Sequence, residues 1–397
     1  MRKVSIFRAF LLMAFYSLVA NFAHPITPTF IQNLNLHDYM FGVAFACMSL
    51  TNFLFSPFWG KISRSIGSSK VLGFCFMGYA LAQFIFGSAT SELHIAIARL
   101  IGGFFIGGIS VNQILYVLDN SPEGKSGSNL ATQVTINVVL AGFGFMIGGF
   151  LGDYSIKLTF MSQVIGLALG GLYCFLFLDD SEHTKEKLDL KKVISNSNPF
   201  QAFIEGREIL SYIVITFLLM SIAASFATTC YEQCFNYYIK DQFGFPPSAN
   251  GLLKAGVGFV TLLANSTICA YLLKKTNIIK TVMPVFVICF SMMISIIVLE
   301  DIVPFIIMNV VFFGFNAIYQ PLLQAMINKI VDQNKTGMLA GLYNSMRSLG
   351  MMGGSLLAGF IYAVGPKMSF VVSAIAFMIA IVCSIAMRKK AITTKEA

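Results

Sequence analysis

The chain has 397 residues, of which 56% are hydrophobic and only 11% charged, with a mean hydropathy of +0.76. A soluble domain carries about 25% charged residues, so these few cannot cover the surface of a soluble globule of this size. Apolar runs of about 20 residues, each long enough to cross a roughly 30 Å hydrocarbon layer, recur from one end to the other.

The first run follows Arg2, Lys3 and Arg8 and continues to about residue 31 through Asn21 and His24. That is too long for a secretory leader and lacks a small-residue cleavage pattern, so it reads as a retained first span. Apolar runs between polar breaks then predict helices near 6–31, 40–62, 70–89, 93–118, 129–152, 158–178, 209–239, 249–273, 279–300, 302–331, 336–363 and 368–387. The expected fold is an all-α polytopic membrane protein of twelve helices. It divides into a six-helix bundle at 1–178, a polar cytoplasmic loop at 179–208, and a second bundle with a short tail at 209–397. All eight cysteines fall inside these spans, where disulfide staples of the secreted kind are not expected.

With the N-terminus in the cytoplasm, 21 Lys and Arg residues fall on one side, from Arg2, Lys3 and Arg8 through Lys185 and Lys187 to Lys395. Only Lys157, Lys240 and Lys367 fall on the other. This obeys the positive-inside rule, places both termini in the cytoplasm and explains the net charge of +9 without a nucleic-acid partner. The halves also echo each other: Phe30-Ile31 aligns with Tyr238-Ile239, Gly42 with Gly251, and Val117-Leu118-Asp119 with Ile330-Val331-Asp332. Parallel repeats of this kind place a substrate site near the bilayer midplane.

Between the second and third helices, the stretch from Pro57 through Gly60, Lys61, Arg64 and Gly67 to Leu72 resembles the signature loop of the major facilitator superfamily. Arg64 stands where the family has an aspartate, and Ser65, Ser68 and Ser69 where it has basic residues, so the usual charge latch lacks its members. The fourth helix carries Ala98-Arg99-Leu100-Ile101-Gly102-Gly103 and ends in Asp119-Asn120-Ser121-Pro122, similar to the second family motif, whose arginine is tied to proton coupling in drug:proton antiporters. Gly144, Gly148 and Gly149 in the fifth helix are similar to the antiporter glycine motif, with Phe145 in place of its proline and Leu140 in place of its first glycine. The run from Gly341 to Gly350, followed by Gly354, and Pro321 in the tenth helix resemble multidrug-efflux members. The resemblance implies a secondary transporter of the twelve-helix drug:proton antiporter branch. Small residues also serve close helix packing by themselves, which is the simpler reading of the glycines.

Gly124-Lys125-Ser126 mimics the tail of a phosphate loop, but Asp119 occupies the position where the leading glycine is required, so no ATP site is implied. Neither a metal nor a cofactor is expected, and nothing in the chain reads as an enzyme.

Five ionisable residues fall inside the predicted spans: His24, Arg99, Glu232, Lys254 and Arg347. A charge at the centre of a membrane helix costs about 2.5–3.5 kcal/mol on insertion scales, so these should face water or one another. Glu232 belongs to a stripe with Ser225, Thr228, Thr229 and Asn236, at spacings of three and four. Asn316, Gln320, Gln324 and Asn328 repeat the pattern in the tenth helix, and Ser17, Asn21, His24 and Pro28 do so in the first. These faces, with Gln113 and Arg347, are the expected substrate cavity. Glu232 is the preferred proton carrier, Arg99 the residue that biases its charge or that of a bound substrate, and His24 a second carrier. Gly60, Arg64, Gly67 and Asp119 are the expected gating loop. A static pair of Glu232 with Lys254 or Arg99 remains the competing structural reading.

The expected function is proton-coupled efflux of small lipophilic or amphipathic compounds by alternating access. Uptake of a metabolite such as a sugar or organic ion is the alternative, and a membrane sensor or enzyme is disfavoured. The partners are the small-molecule substrate, protons and membrane lipids. The expected form is a monomer in the plasma membrane, the inner membrane in a bacterium.

Overall fold

The computed structural model describes residues 6–122, 124–180 and 189–396, and among them there is helix and no strand. Of the cations assigned to the cytoplasmic side, Arg2, Lys3, Lys185 and Lys187 lie outside the described residues. Among the described residues, ten helices are long and apolar enough to cross a membrane. Two further elements complete twelve passes. One is the apolar Ile6–Ala20 (α1), continued beyond a break by Thr27–Asn33 (α2), and the other is the 27-residue, more polar Thr336–Tyr362 (α15).

The elements between are Met40–Ile66 (α3), Ser68–Gly87 (α4), Glu92–Asn120 (α5), Ser126–Tyr154 (α6), Ile156–Phe177 (α7), Leu190–Asn196 (α8) and Gln201–Glu205 (α9). Tyr212–Asp241 (α10), Pro247–Ala264 (α11), Ala270–Lys275 (α12), Ile278–Val298 (α13) and Ile302–Ile330 (α14) follow, and Met368–Glu396 (α16) closes the chain. Several starts are set by side-chain caps: Ser91, Ser155 and Ser211 accept from the backbone N–H three residues on, and Asn277 from Ile279. Each satisfies a donor that the helix cannot.

Two predicted spans are not continuous. The first breaks at residues 21–26, because Pro25 and Pro28 lack the N–H groups that would bond the carbonyls of Asn21 and His24. The eighth passes through a π-helical turn at Asn265–Cys269 between α11 and α12. Such a turn inserts one residue into the ladder and re-aims the side chains beyond it.

The chain forms two compact units that are not simple sequence halves. The first comprises Met1–His37, Cys47–Pro199 and Phe245–Gly258; the second comprises Asp38–Ala46, Phe200–Gly244 and Phe259–Ala397. The opening turns of α3 thus belong with the second unit and most of α11 with the first.

In the first unit α4 packs on α5 and α7, and α1 on α6 and α7, around Leu12, Val71, Phe76, Ile109, Tyr116 and Leu167. The helices cross where glycine removes the side chain: a β-carbon at Gly144 would lie 2.1 Å from the Leu18 carbonyl oxygen, and one at Gly148 would lie 2.3 Å from that of Phe22. Gly149 meets Gly251 and Pro247 in the same way, and Asn250 Nδ2 donates to the Pro25 carbonyl at 3.1 Å.

In the second unit α10 packs on α15 and α16, and α13 on α14 and α16. Tyr231, Phe235, Tyr238, Phe305 and Phe370 form a continuous aromatic cluster. Gly350 and Gly354 let α15 touch the α10 backbone at Ile222 and Phe226. The start of α3 is bound here too: Ser355 Oγ donates to the Gly42 carbonyl at 2.7 Å, and Phe41 stacks on Tyr237 at 4.8 Å. Tyr237 donates its hydroxyl to Asp38 at 2.5 Å, while Tyr362 donates to Asp241 at 2.8 Å.

Candidate functional site

The polar residues of the second unit converge. Thr228 on α10 donates to Asn316 Oδ1 on α14 at 2.9 Å, so the two predicted stripes meet side by side. Asn316 is buried, Gln320 and Asn236 are half-buried, and Gln324 is exposed. Glu232 is exposed too, although it lies two-thirds of the way along a 30-residue apolar helix. A carboxylate facing hydrocarbon at that depth would be costly.

Tyr319, next to Gln320, lies within electrostatic reach of both Glu232 and Arg347. Arg347 is half-buried on α15 and acts on Tyr343 as well. Behind this face, the buried Tyr231 hydroxyl donates to Asn309 Oδ1 at 2.5 Å, and Asn309 Nδ2 donates to the Phe305 carbonyl at 2.6 Å. The residue preceding Glu232 is therefore fixed on both its ring and its hydroxyl. Stripe reading missed Tyr319, Tyr231 and Asn309; the phenol rings count as apolar in a hydropathy window, and Asn309 stands alone.

The first unit holds a different constellation. Arg99 is only 8% exposed, with its guanidinium carbon 3.8 Å from the Phe86 ring centroid and Nη1 donating to the Met48 sulfur at 3.7 Å. Its Nε is buried without a hydrogen-bond partner. His24 lies in the break between α1 and α2 and meets Phe145 edge-on at 5.7 Å. Asn21 Nδ2 turns back to the Ser17 carbonyl at 2.6 Å, and Ser17 Oγ donates to Asn137 at 2.8 Å. Gln113 is buried, with its Nε2 unpartnered.

The loop between α3 and α4 keeps a sharp turn without the family's acidic residue. Gly67 adopts φ +98°, a conformation that L side chains resist. Asp180, beyond α7, reaches it from 111 positions away: Ser69 donates its backbone N–H to Oδ1 at 2.7 Å and its hydroxyl to Oδ2 at 2.8 Å. A carboxylate at the N-terminus of α4 also meets the positive end of the helix dipole. Arg64 and Asp119 are exposed, and a β-carbon on Gly60 would crowd Val111.

A model described as Major Facilitator Superfamily matches residues 9–352 and, again, 239–396. Multidrug resistance protein 1 of Bacillus subtilis (strain 168) is 20% identical over 371 residues, covering 92% of each chain. Quinolone resistance protein NorA of Staphylococcus aureus is 23% identical over 353 residues, covering 86% of this chain and 85% of the relative. Among solved structures, the inward-facing, unoccupied bacterial homolog of the human lysosomal transporter Spinster superposes with TM-score 0.77 at 13% identity over 96% of both chains. The D-xylose-proton symporter superposes with TM-score 0.69 at 14% identity, over 96% of this chain and 97% of its own.

Proposed function

The chain belongs to the major facilitator superfamily of multi-pass membrane transporters, and from that premise we propose that it is a proton-coupled exporter of small lipophilic or amphipathic compounds. The observation that carries this reading is the exposed Glu232 on a polar face of the apolar α10, backed by the Thr228–Asn316 bond and the fixed Tyr231. A carboxylate there gains a proton when its surroundings exclude water and loses it when water or a cation returns. Alternating access supplies both environments in turn, so Glu232 loads a proton in one state and releases it in the other. The multidrug and quinolone resistance proteins among the relatives, matched along most of their length, support the export direction. The solved sugar symporter shares the fold alone and does not favour a sugar cargo.

In this reading residues 1–178 and 209–397 act as two bundles joined by the 179–208 loop, in a plasma-membrane monomer with both termini in the cytoplasm. Asn21 and Gln113 in the first unit, and Thr228, Asn236, Asn316, Gln320, Gln324 and Arg347 in the second, are the side chains assigned to substrate. Gly60, Gly67 and Asp119 belong to the gating loop, with Asp180 taking over the anchoring that Arg64 cannot provide.

Expression in cells stripped of their own pumps, with a panel of unrelated growth inhibitors, tests the function. Raised resistance to several compounds, abolished by collapsing the proton gradient, is expected; accumulation of a single polar nutrient instead would refute export. Orientation is checked with an impermeant thiol reagent. It should label a cysteine at Gln242 on intact cells, and one at Ser195 only after permeabilisation.

A further inference from the structure

At the end of the first unit that the proposed topology places outside, α2, α4 and α7 enclose a groove of about 720 Å³. Each helix gives it a polar residue at the rim and apolar ones further in. On α7, Lys157 stands at the rim, with Phe160, Met161 and Val164 below it. On α4, Ser88 follows the last turn and Phe84 lies one turn in; on α2, Asn33 is the last residue and Phe30 lies a turn deeper. From Lys157 to Val164 the helix rises about 10 Å, which takes the groove well into one leaflet of a roughly 30 Å hydrocarbon layer.

The floor is closed by rings that hold one another. Phe30, Phe86 and Phe160 meet edge-on at 5.4, 5.1 and 5.2 Å, and a β-carbon on Gly87 would lie 2.7 Å from the Phe160 ring. The wall is what faces a ligand: Phe84 is 50% exposed, and Leu34, Met161 and Val164 are half-buried. The rim carries a single charge, and it is positive. Lys157 is exposed and joins no ion pair or hydrogen bond through its side chain among the described residues. The acids at neighbouring helix ends are engaged elsewhere: Asp153 accepts from the Ser248 N–H at 3.1 Å, and Glu92 holds His37 at 2.7 Å. Asn33 is exposed beside the lysine's groove, whereas Ser88 already gives its hydroxyl proton to the Ile85 carbonyl at 3.0 Å. The donors left for a ligand are thus an ammonium and an amide above an apolar wall.

We propose that this groove binds an anionic phospholipid, its phosphate held by Lys157 and Asn33 and one acyl chain lying along Phe84, Met161 and Val164. A zwitterionic lipid brings the same phosphate but sets a second ammonium beside Lys157, so it binds less tightly. A second groove of the same unit supplies the contrast. It measures about 320 Å³ between α1 and α7, includes Leu11, Phe15 and Leu169, and has no charged side chain in its lining. Such a groove takes the chains of any lipid alike.

Photolabelling in nanodiscs tests the proposal independently of transport and of membrane orientation. Phosphatidylglycerol and phosphatidylcholine, each with a diazirine on the same acyl carbon, are compared at equal fractions, and the labelled peptides are mapped by mass spectrometry. Phosphatidylglycerol should label the segments around Phe84 and Met161 about fivefold more than phosphatidylcholine, roughly the effect of one lysine at a lipid surface. The groove between α1 and α7 should show no preference. Lys157→Gln should abolish the preference with phosphatidylcholine labelling unchanged, and Lys157→Glu should reverse it, the unfolding midpoints showing that both variants fold. Equal labelling by the two probes, the same preference in the α1–α7 groove, or a preference that survives Lys157→Gln overturns the proposal. Displacement of the phosphatidylglycerol probe by millimolar inorganic phosphate overturns it too, because the ligand would then be a free anion.

Discussion

The two units answer the same problem, ionisable groups inside a membrane, with opposite chemistry. Within its spans the first unit holds the bases His24, Arg99 and Lys254, with Phe145, Phe86 and the Met48 sulfur beside them. The second embeds an acid, Glu232, with Arg347 and a lining of hydroxyls and amides: Thr228, Asn316, Tyr319 and Tyr231 bonded to Asn309. The alignment of the two halves sets His24 opposite Glu232, a base in one unit and an acid in the other. An aromatic setting holds a charge fixed. A polar, water-exposed setting lets a carboxylate exchange a proton. Under the proposed function, the first unit keeps fixed positive charge and the second carries the proton.

The largest expected effect concerns the scaffold the two units share, glycine crossings. Gly148→Leu and Gly354→Leu should each cut the yield of monodisperse, detergent-solubilised protein tenfold or more, because a β-carbon at either meets a carbonyl oxygen at 2.3 Å. Gly127→Ala, with nothing within 4 Å of its β-carbon, should match the wild type. Equal tolerance at all three positions would mean that the crossings do not hold the units together.

Next in size is the fixed charge. Arg99→Ala should lower gradient-driven export at least tenfold with normal membrane insertion, measured as dye efflux per molecule in the membrane. Arg99→Lys should recover little, since an ammonium reproduces neither the planar contact with Phe86 nor the fork. Wild-type export in the alanine variant would remove the first unit's charge from the mechanism.

The smallest effect concerns the start of α3. Tyr237→Phe deletes the hydroxyl that donates to Asp38, and Tyr362→Phe the one that donates to Asp241. A net loss of about 1 kcal/mol each should lower the unfolding midpoint by about 2 °C. An unchanged midpoint in the double variant would show that these bonds secure neither the approach to α3 nor the contact between the ends of α10 and α15.

The passes were legible from apolar length, and Glu232 and Arg99 stand out as candidates from the cost of placing a charge in lipid. Periodicity also found the Thr228–Asn316 meeting, because two stripes of amides and hydroxyls on separate helices need a common wet face. The break at residues 21–26 was readable in Pro25 and Pro28 but was smoothed over by a hydropathy window that saw only apolar length. Nothing local could assign Asp180 to the turn at Gly67, since the bond spans 111 positions. The transfer of Asp38–Ala46 to the second unit and Phe245–Gly258 to the first was equally hidden, because glycine crossings record closeness without naming the partner helix.

The central claim is that Glu232 carries the coupled proton, and reconstituted vesicles under an imposed pH gradient test it most directly. Glu232→Gln keeps the shape and hydrogen-bonding capacity of the side chain and removes its titratable charge. The account predicts that gradient-driven accumulation disappears while substrate exchange down its own gradient continues at close to the wild-type rate. Accumulation by Glu232→Gln at the wild-type rate would contradict the assignment and pass the role to His24.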